Sequence, residues 1–452
     1  MTTSSPSRNH LRLPIRMASE TALFTDRYEL TMLEAALHSG IASRHATFEI
    51  FGRGLAGRAY GVIAGTARIA SLLNRFTFSD EDLDYLGHNS ICSADTLAYL
   101  AKFRFSGSIY AYPDGELYFP FSPVLRLEAT FAEGLILETL LLSALNFDSA
   151  IATAASRMVL AARGRSLIEM GTRRTNEDAA VAAARASYIA GFQATSNLAA
   201  GQRHAIPTAG TMGHAIILAH ESEAAAFRAQ RAVAGDATTA LVDTYDTMNG
   251  IRTAIATFGP SLAAIRIDSG DPGETSRAAR ELLDSLAATK TQIIVSGDLD
   301  EAAILSLKDA PIDGFGIGTK LVTGSGVPTA GFVYKLVAIE RGGERIPVAK
   351  QSEDKTSDGG AKTAYRRTRN RRAIDEFSLD PGASITSTSA DELRQLQLPV
   401  IVQGEVVIDD DLERWRRLHQ ESLLELGSSE DLLSTKTPLL QCHYIGPGTL
   451  RS

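Results

Sequence analysis

The chain has 452 residues, enough for two or three domains with a large buried core. Hydrophobic residues make up 44% of it and charged residues 22%, which is typical of globular proteins and excludes a chain that is mostly disordered. The 45 basic and 53 acidic residues give a net charge of -8. This charge disfavours nucleic acid or an anionic membrane as the main partner, because both bind to extended cationic surfaces.

The two cysteines, Cys92 and Cys442, are too few for a disulfide framework or a four-thiolate zinc site. No apolar run reaches the ~20 residues of a membrane span, and the polar N-terminus lacks the apolar segment of a signal peptide. We therefore expect a cytoplasmic protein without a membrane segment. Residues 1–17 are expected to form a flexible extension, with Met17 as an alternative start.

The first folded segment, residues 18–145, is predicted to be an α+β domain. Strand-like alternation occurs at 45–53 and 106–120, and a helix is expected near 28–39. A second helix, from about 133 to 163, is expected to lead into the next domain.

From about residue 165, short apolar runs that end in small or polar residues alternate with Ala-rich helical stretches. Such alternation predicts βα units and a parallel sheet. The runs are 166–174, 188–197, 204–211, 240–247, 262–271, 292–298 and 314–319. About seven units favour an α/β barrel over residues 146–340, with its chemistry at the carboxyl ends of the strands. An open doubly wound sheet is the alternative.

The alternating pattern stops near residue 340. Residues 355–372 form the strongest basic cluster, which could be a solvated loop, a mobile arm over anionic substrates or a nucleic-acid patch. The last of these is the weakest interpretation because the whole chain is acidic. A strand pair at 398–409 and a helix at 412–426 complete residues 341–452, which we expect to pack with the N-terminal domain.

The motif IRIDSGD (265–271) places three charged residues at one strand end. Arg266 can bind a planar anion bidentately, and Asp268 and Asp271 can hold a hydrated magnesium ion or a sugar hydroxyl. The alternative is an internal ion pair that closes the strand end.

Two glycine-containing turns, VSGD (295–298) and GIGTK (316–320), follow neighbouring predicted strands. Turns without bulky side chains expose backbone N–H groups that can bind a phosphate. The motif GTRR (171–174) adds two arginines, which is consistent with a diphosphate site. The candidate residues are Arg173, Arg174, Ser296, Gly297, Gly318, Thr319 and Lys320.

The motif GTMGHA (210–215) places His214 where a helix is expected to begin. The helix dipole there favours a neutral, nucleophilic imidazole, although an ordinary capping or core histidine is an equal alternative. His214 and His220 are six residues apart and do not share a helix face, so zinc is not expected.

Together these motifs resemble the nicotinate phosphoribosyltransferases over roughly residues 20–365. The matching motifs, in the order of the family, are TDRYELTM (25–32), EMGTRRT (169–175), GFQATSNLAAG (191–201), GTMGHA, LVDTYDT (241–247), IRIDSGD, GIGTK and VYKLVAI (333–339). Some of these motifs are also similar to nicotinamide phosphoribosyltransferase, which is the nearest alternative family. They are IRIDSGD and the pair formed by EMGTRR and ATSN.

The resemblance implies a type II phosphoribosyltransferase fold, an irregular α/β barrel with a second α+β domain built from the N-terminal and post-barrel segments. It also implies a homodimer in which each active site is completed by the partner. The implied reaction transfers phosphoribose from phosphoribosyl diphosphate to nicotinate, in the Preiss-Handler route of NAD salvage. Mg²⁺ is the implied cofactor, and ATP is the implied co-substrate, consumed through a phosphohistidine.

The resemblance also implies roles for individual residues. Tyr28 would stack on the pyridine ring bound by the neighbouring chain. Thr211 and Arg266 would contact nicotinate. Thr319 would bind the phosphoribosyl phosphate, and His214 would accept the phosphoryl group from ATP.

Two positions bear on the choice of pyridine. Met170 stands where the nicotinamide enzyme stacks a phenylalanine, so a thioether would hold the ring. Ser196 stands where that enzyme carries an aspartate, and a hydroxyl can donate a hydrogen bond to the carboxylate of nicotinate. The sequence therefore favours nicotinate.

The implied chemistry agrees with the residue types. Arg173, Arg174 and Lys320, together with Mg²⁺, can neutralise the leaving diphosphate, and Asp268 can stabilise the ribose as it gains oxocarbenium character. The pyridine nitrogen needs no general base. A catalytically idle phosphate-binding barrel would not need this set of residues, and a phosphosugar isomerase would leave GTRR and the tyrosine motif without a role.

Overall fold

The structure is a computed structural model that describes residues 21–350, 358–385 and 390–446. The expected extension at 1–17, with Met17, lies outside these residues. Within the described ranges, no helix combines the length and the apolar surface that crossing a bilayer would require.

The N-terminal segment contains six helices and five strands in the described residues. The helices are α1 (Arg27–Ser39), α2 (Thr66–Leu73), α3 (Asp80–His88), α4 (Ala94–Leu100), α5 (Phe131–Ile136) and α6 (Glu138–Ala162). The strands are β1 (His45–Gly52), β2 (Gly61–Val62), β3 (Ser108–Ala111), β4 (Leu117–Tyr118) and β5 (Leu125–Thr130). The single helix expected over 133–163 is thus two helices.

A buried glutamate accounts for the break between α5 and α6. The Oε1 atom of Glu29, on α1, accepts hydrogen bonds from the backbone N–H of Thr139, at 2.9 Å, and from its hydroxyl. This side chain therefore caps the first turn of α6, whose N–H groups have no partner within the helix. Glu29 belongs to the TDRYELTM motif, so part of that motif has a structural role.

The middle of the chain forms a parallel sheet with helices after its strands. The strands are β6 (Ser166–Glu169), β7 (Ala194–Thr195), β8 (Thr239–Leu241), β9 (Ala264–Ile267), β10 (Gln292–Gly297) and β11 (Gly314–Ile317). The helices are α7 (Glu177–Ile189), α8 (Leu198–His204), α9 (His214–Ala219), α10 (Glu223–Ala234), α11 (Thr247–Phe258), α12 (Pro272–Ser285), α13 (Glu301–Ser306) and α14 (Thr319–Val322).

The strand order β7-β6-β11-β10-β9-β8 distinguishes a barrel from a doubly wound sheet. The first strand, β6, pairs with the last, β11, as it does when a sheet curls round on itself. The sheet is open between β7 and β8. The predicted strand at 204–211 is wrong: this run makes only an isolated bridge from Thr208 to Thr195, because Pro207 lacks a backbone donor. The predicted irregular α/β barrel is otherwise confirmed.

The post-barrel segment completes a sheet with the N-terminal strands. Its strands are β12 (Phe332–Arg341), β13 (Glu344–Pro347), β14 (Thr363–Arg369), β15 (Arg372–Leu379), β16 (Asp391–Gln395), β17 (Leu398–Val402), β18 (Glu405–Val406) and β19 (Cys442–Ile445), and its helices are α15 (Leu412–Leu424) and α16 (Ser429–Ser434). The seven-stranded order β13-β12-β1-β5-β3-β17-β18 joins both ends of the chain. The second domain is therefore built from two distant segments.

In the described part of the basic cluster, residues 358–372, the central run is a paired strand and not a solvated loop or a mobile arm. Its described part contains β14, which pairs with β15 and β16. Arg366 is fully buried and donates to Glu116 at 2.7 Å and to Glu376 at 2.8 Å. Buried arginines of this kind are paired because an isolated buried charge is very unfavourable. The composition shows the charge of the cluster but not the carboxylates that neutralise it.

A buried histidine connects α15 to the N-terminal segment. The Nδ1 atom of His419 lies 3.0 Å from the carbonyl oxygen of Gly115, and its Nε2 atom lies 2.9 Å from the hydroxyl of Ser156. A Cβ on Gly115 would lie 2.4 Å from the carbonyl oxygen of Trp415, so only glycine allows α15 to pack this closely. Burial lowers the pKa of His419 to about 4.

We expect this histidine to make folding stability pH-dependent. The pKa of His419 is lower in the folded chain than in the unfolded chain, so the unfolded state binds more protons. The stability of the fold therefore decreases as the pH falls from about 6.5 towards about 4. The loss between about pH 7 and pH 5 should be on the order of 2 kcal/mol. Urea unfolding of wild type and of His419→Gln, which cannot titrate, measures the difference. Equal pH dependence of the two proteins would contradict this assignment.

Candidate active site

The carboxyl ends of the parallel strands surround a cleft with two compartments. We name them the His214 compartment, with a volume of about 410 Å³, and the Thr319 compartment, with a volume of about 270 Å³. Four of the predicted site residues line both: Met170, Arg173, Arg266 and Asp268. The two compartments are therefore parts of one site.

Arg266 lies at the junction of the compartments, and its guanidinium is held from three sides. Its Nε donates to Ser296 at 2.7 Å and one terminal nitrogen donates to Thr211 at 3.1 Å. The other terminal nitrogen pairs with Asp268 at 2.8 Å. The ion pair of the alternative interpretation is therefore present, and both of its side chains also line the cleft. Such a fixed guanidinium can bind a planar anion without first being ordered.

Asp268 is held in its ionised form by its neighbours. Burial alone would raise its pKa, but hydrogen bonds from Ser296 and Arg266, together with the charge of Arg266, outweigh this effect. The pKa of Asp268 consequently lies below its ordinary value. A permanent negative charge is thus present where the two compartments meet.

His214 stands at the start of α9, beside two carboxylates. Its Nδ1 atom lies 3.0 Å from the hydroxyl of Thr244, and its Nε2 atom lies 4.0 Å from oxygens of both Asp243 and Asp268. The helix α9 has only six residues. These neighbours, more than the dipole of so short a helix, orient the imidazole.

Asp243 is a site residue that was not singled out from the sequence. Its side chain is fully buried, and its Oδ2 atom accepts hydrogen bonds from Asp268 N and from the hydroxyl of Ser269, both at 2.7 Å. Its Oδ1 atom has no hydrogen-bond partner among the described residues and faces His214. The signal in the sequence was the strand-end acid of LVDTYDT, but an unpaired oxygen is visible only in three dimensions.

The other residues that line the His214 compartment include Ser196 and Thr211, which follow β7 and precede α9. The backbone N–H of Ser196 donates to the carbonyl oxygen of Glu169 at 2.8 Å. The compartment therefore combines hydroxyl donors with the Met170 thioether and the Arg266 guanidinium. These groups suit a flat ring that carries an anionic substituent.

The Thr319 compartment combines backbone turns with arginines. The predicted residues found there are Arg174, Ser296, Gly297, Gly318 and Thr319, and Asp298 was not predicted. A Cβ on Gly316 would lie 2.6 Å from the Met170 sulfur, so any larger residue there would displace the Met170 side chain. Backbone turns and arginines of this kind suit an anion such as a phosphate group.

Three predicted site residues line neither compartment. Lys320 points away, with its ammonium nitrogen 3.9 Å from Asp300. Asp271 accepts a hydrogen bond from Glu274 N at 2.8 Å and caps α12, a role for which the following proline is also suited. Tyr28 lies on α1 with 46% of its surface exposed.

The carboxylates of the cleft fit a magnesium ion only together with a bound substrate. No group of three or more His, Cys, Asp or Glu side chains that could hold a metal occurs in the part of the chain that the structure describes. Mg²⁺ commonly binds through one or two carboxylates plus substrate phosphates. Asp268 and Asp298 line the Thr319 compartment and fit that requirement, whereas Asp271 is occupied as a helix cap.

The sequence matches two models of one protein family. Residues 23–146 match the nicotinate phosphoribosyltransferase (NAPRTase) N-terminal domain, and residues 165–381 match the nicotinate phosphoribosyltransferase (NAPRTase) family. Nicotinate phosphoribosyltransferase pncB1 of Mycobacterium tuberculosis is 49% identical over 431 residues, 92% of this chain and 95% of that protein. Nicotinate phosphoribosyltransferase of Bacillus subtilis is 41% identical over 358 residues, 76% of this chain and 73% of that protein.

Solved structures share the fold. Human nicotinic acid phosphoribosyltransferase matches with a TM-score of 0.78 at 24% identity, over 92% of this chain and 97% of that one. Nicotinate-nucleotide pyrophosphorylase from Pyrococcus furiosus matches with a TM-score of 0.74 at 24% identity, over 90% of this chain and 97% of that one.

Proposed function

We propose that this chain, an enzyme of the nicotinate phosphoribosyltransferase family, transfers 5-phosphoribose from phosphoribosyl diphosphate to nicotinate and so acts in NAD salvage. The products are nicotinate mononucleotide and diphosphate. The substrates and products are small intracellular metabolites, which favours a cytoplasmic location. The two buried free cysteines favour the same location, because free thiols are typical of reducing compartments.

The observation that carries the proposal is the position of Arg266 between two unlike compartments. One side of the guanidinium faces Thr211, which lines the compartment suited to a flat anionic ring. The other faces Ser296, which lines the compartment suited to phosphate. Two substrates bound on either side would place a pyridine nitrogen close to the ribose of the second substrate.

The bond changes need few protein groups. The pyridine nitrogen attacks the anomeric carbon, the bond from that carbon to the diphosphate oxygen breaks, and diphosphate leaves. Arg173 and Arg174 can neutralise the leaving group, and Asp268 can stabilise the positive charge on the ribose. Mg²⁺, when bound, supplies additional positive charge to the diphosphate. The pyridine nitrogen carries no proton, so no general base is required.

We further propose that ATP is hydrolysed as a co-substrate, through a phosphohistidine at His214. The imidazole lines the same compartment as Arg266 and is oriented by Thr244 and two aspartates. Asp243, whose unpaired oxygen lies 4.0 Å from Nε2 of His214, can accept a hydrogen bond from this nitrogen when it carries a proton.

A direct assay tests the transferase proposal. We expect purified protein with phosphoribosyl diphosphate, Mg²⁺ and ATP to convert nicotinate to its mononucleotide, resolved by chromatography. Nicotinamide in place of nicotinate tests the nearest alternative, and omission of ATP tests the coupling. The catalytically idle barrel would give no product with either pyridine.

Tyr28 is proposed to complete the active site of a second copy in a homodimer. It is half-exposed on α1 and lines neither compartment of its own chain. Any role of Tyr28 in an active site would therefore be in the active site of the partner chain. Aromatic stacking on a ring is worth about 1 kcal/mol beyond the area buried, so its loss should weaken pyridine binding clearly.

Mixed dimers test this arrangement. Chains with Tyr28→Ala and chains with Arg266→Ala should each have low activity as homodimers. In the mixed dimer one site receives both mutations and the other receives neither, so we expect partial recovery of activity. Co-expressed chains with two different affinity tags isolate the mixed dimer, and activity no higher than that of the parents would contradict the shared site.

A further inference from the structure

Glu169 is a buried carboxylate directly behind the cleft that the proposed chemistry does not use. It is the last residue of β6, precedes Met170 in sequence and is 0% exposed. Its Oε1 atom accepts from the backbone N–H of Gly171, and its Oε2 atom accepts from the hydroxyl of Thr195. No ion pair to this carboxylate occurs in residues 21–350, 358–385 and 390–446. Burial raises the pKa of Glu169, and these two hydrogen bonds oppose the rise.

These contacts join the turns after two neighbouring strands. The turn after β6 carries Met170, and the turn after β7 carries Ser196. The Thr195 hydroxyl, which donates to Glu169, also accepts from Asn197 N at 2.9 Å. The backbone N–H of Ser196 donates to the carbonyl oxygen of Glu169 at 2.8 Å. Ser196 therefore lies between Thr195, which bonds to the Glu169 carboxylate, and Asn197, which bonds to the Thr195 hydroxyl, while its own N–H bonds to the Glu169 main-chain carbonyl.

We infer that Glu169 is a positioning residue that sets pyridine selectivity, because it fixes the Ser196 hydroxyl relative to Met170 and Arg266. Its side chain lines neither compartment. A shift of Ser196 by a few tenths of an ångström would lengthen a hydrogen bond to the nicotinate carboxylate, and such bonds weaken steeply with poorer geometry. This inference rests on the proposed use of nicotinate, which the wild-type assay tests independently.

A purely structural role is the competing explanation, because a buried carboxylate that loses its donors destabilises a fold. The two explanations differ in what they change. Loss of stability reduces the amount of active enzyme and affects both substrates alike. Loss of positioning raises KM for nicotinate and reduces the preference over nicotinamide, while KM for phosphoribosyl diphosphate stays the same.

The Thr195 side chain offers a mild and well-matched test. Thr195→Val has nearly the same shape but removes the hydroxyl that donates to Glu169, whereas Thr195→Ser keeps that hydroxyl. Loss of a hydrogen bond to a charged group should raise KM for nicotinate and lower the nicotinate over nicotinamide ratio by about tenfold in Thr195→Val. Thr195→Ser should behave like wild type, and KM for phosphoribosyl diphosphate should change by less than about twofold.

Glu169→Gln supplies a second variant with the same expected direction. A glutamine has one acceptor oxygen, so it leaves one of the two donors facing an amide NH₂ group. The inference is overturned if Thr195→Val retains wild-type selectivity, or if it changes both KM values and kcat in equal proportion. Should Glu169→Gln fail to fold, the valine and serine pair still decides the question.

Discussion

Replacement of His214 by alanine is expected to abolish ATP hydrolysis and the stimulation of product formation by ATP. An imidazole is the proposed acceptor of the γ-phosphate, and the described residues that line the His214 compartment include no second histidine and no cysteine, so hydrolysis should fall by at least about a thousandfold. Slow transfer to nicotinate should persist, because the pyridine nitrogen attacks the ribose without help from this residue. Phosphate release and mononucleotide formation, measured in the same reaction, separate the two activities.

The phosphorylated intermediate itself can be detected. Radiolabelled γ-phosphate should remain on the wild-type chain under alkali and be lost in acid, as expected for a phosphoramidate. Asp243→Asn is the matched variant, since it keeps the shape and the hydrogen bond from Asp268 N while removing the charge beside His214. We expect weaker labelling in that variant and none in His214→Ala. Unchanged stimulation by ATP in His214→Ala would remove this histidine from the mechanism.

Much of the cleft could be predicted from the sequence because strand ends converge. Arg266, Ser296 and Thr319 are far apart in the chain, yet each follows or ends a strand of one parallel sheet. The carboxyl ends of such strands lie at one edge of the sheet. Polar residues at these ends therefore lie close together, regardless of the helices that connect the strands.

Other features depend on tertiary packing that a local pattern does not contain. Arg366 belongs to a basic run, and only the folded chain shows that Glu116, 250 positions earlier, neutralises it. The unpaired oxygen of Asp243 is likewise visible only in the folded chain. Asp271 is different, because an aspartate followed by Pro272 and then Glu274 is itself a pattern for the start of a helix. The proposed metal role for Asp271 therefore overlooked a local signal.

Substitution of Ser196 by aspartate is expected to reverse the choice of pyridine. The Ser196 hydroxyl lines the compartment that also holds Arg266 and Thr211, where it can donate to the carboxylate of nicotinate. An aspartate there would repel that carboxylate but could accept a hydrogen bond from the NH₂ group of nicotinamide. A partly desolvated like-charge contact costs several kcal/mol, so nicotinate selectivity should fall about a thousandfold. The ratio of kcat/KM for the two pyridines measures the change.

The charge, and not the size, of the new side chain should be responsible. Ser196→Asn has nearly the same shape as Ser196→Asp without the negative charge, so it controls for steric effects and should retain much more nicotinate turnover. Arg266 does not cancel the added charge, because it already pairs with Asp268. Equal losses in the asparagine and aspartate variants would indicate a steric cause. If the wild type preferred nicotinamide, or Ser196→Asp kept its nicotinate selectivity, the electrostatic explanation of specificity would be wrong even though the family assignment remained.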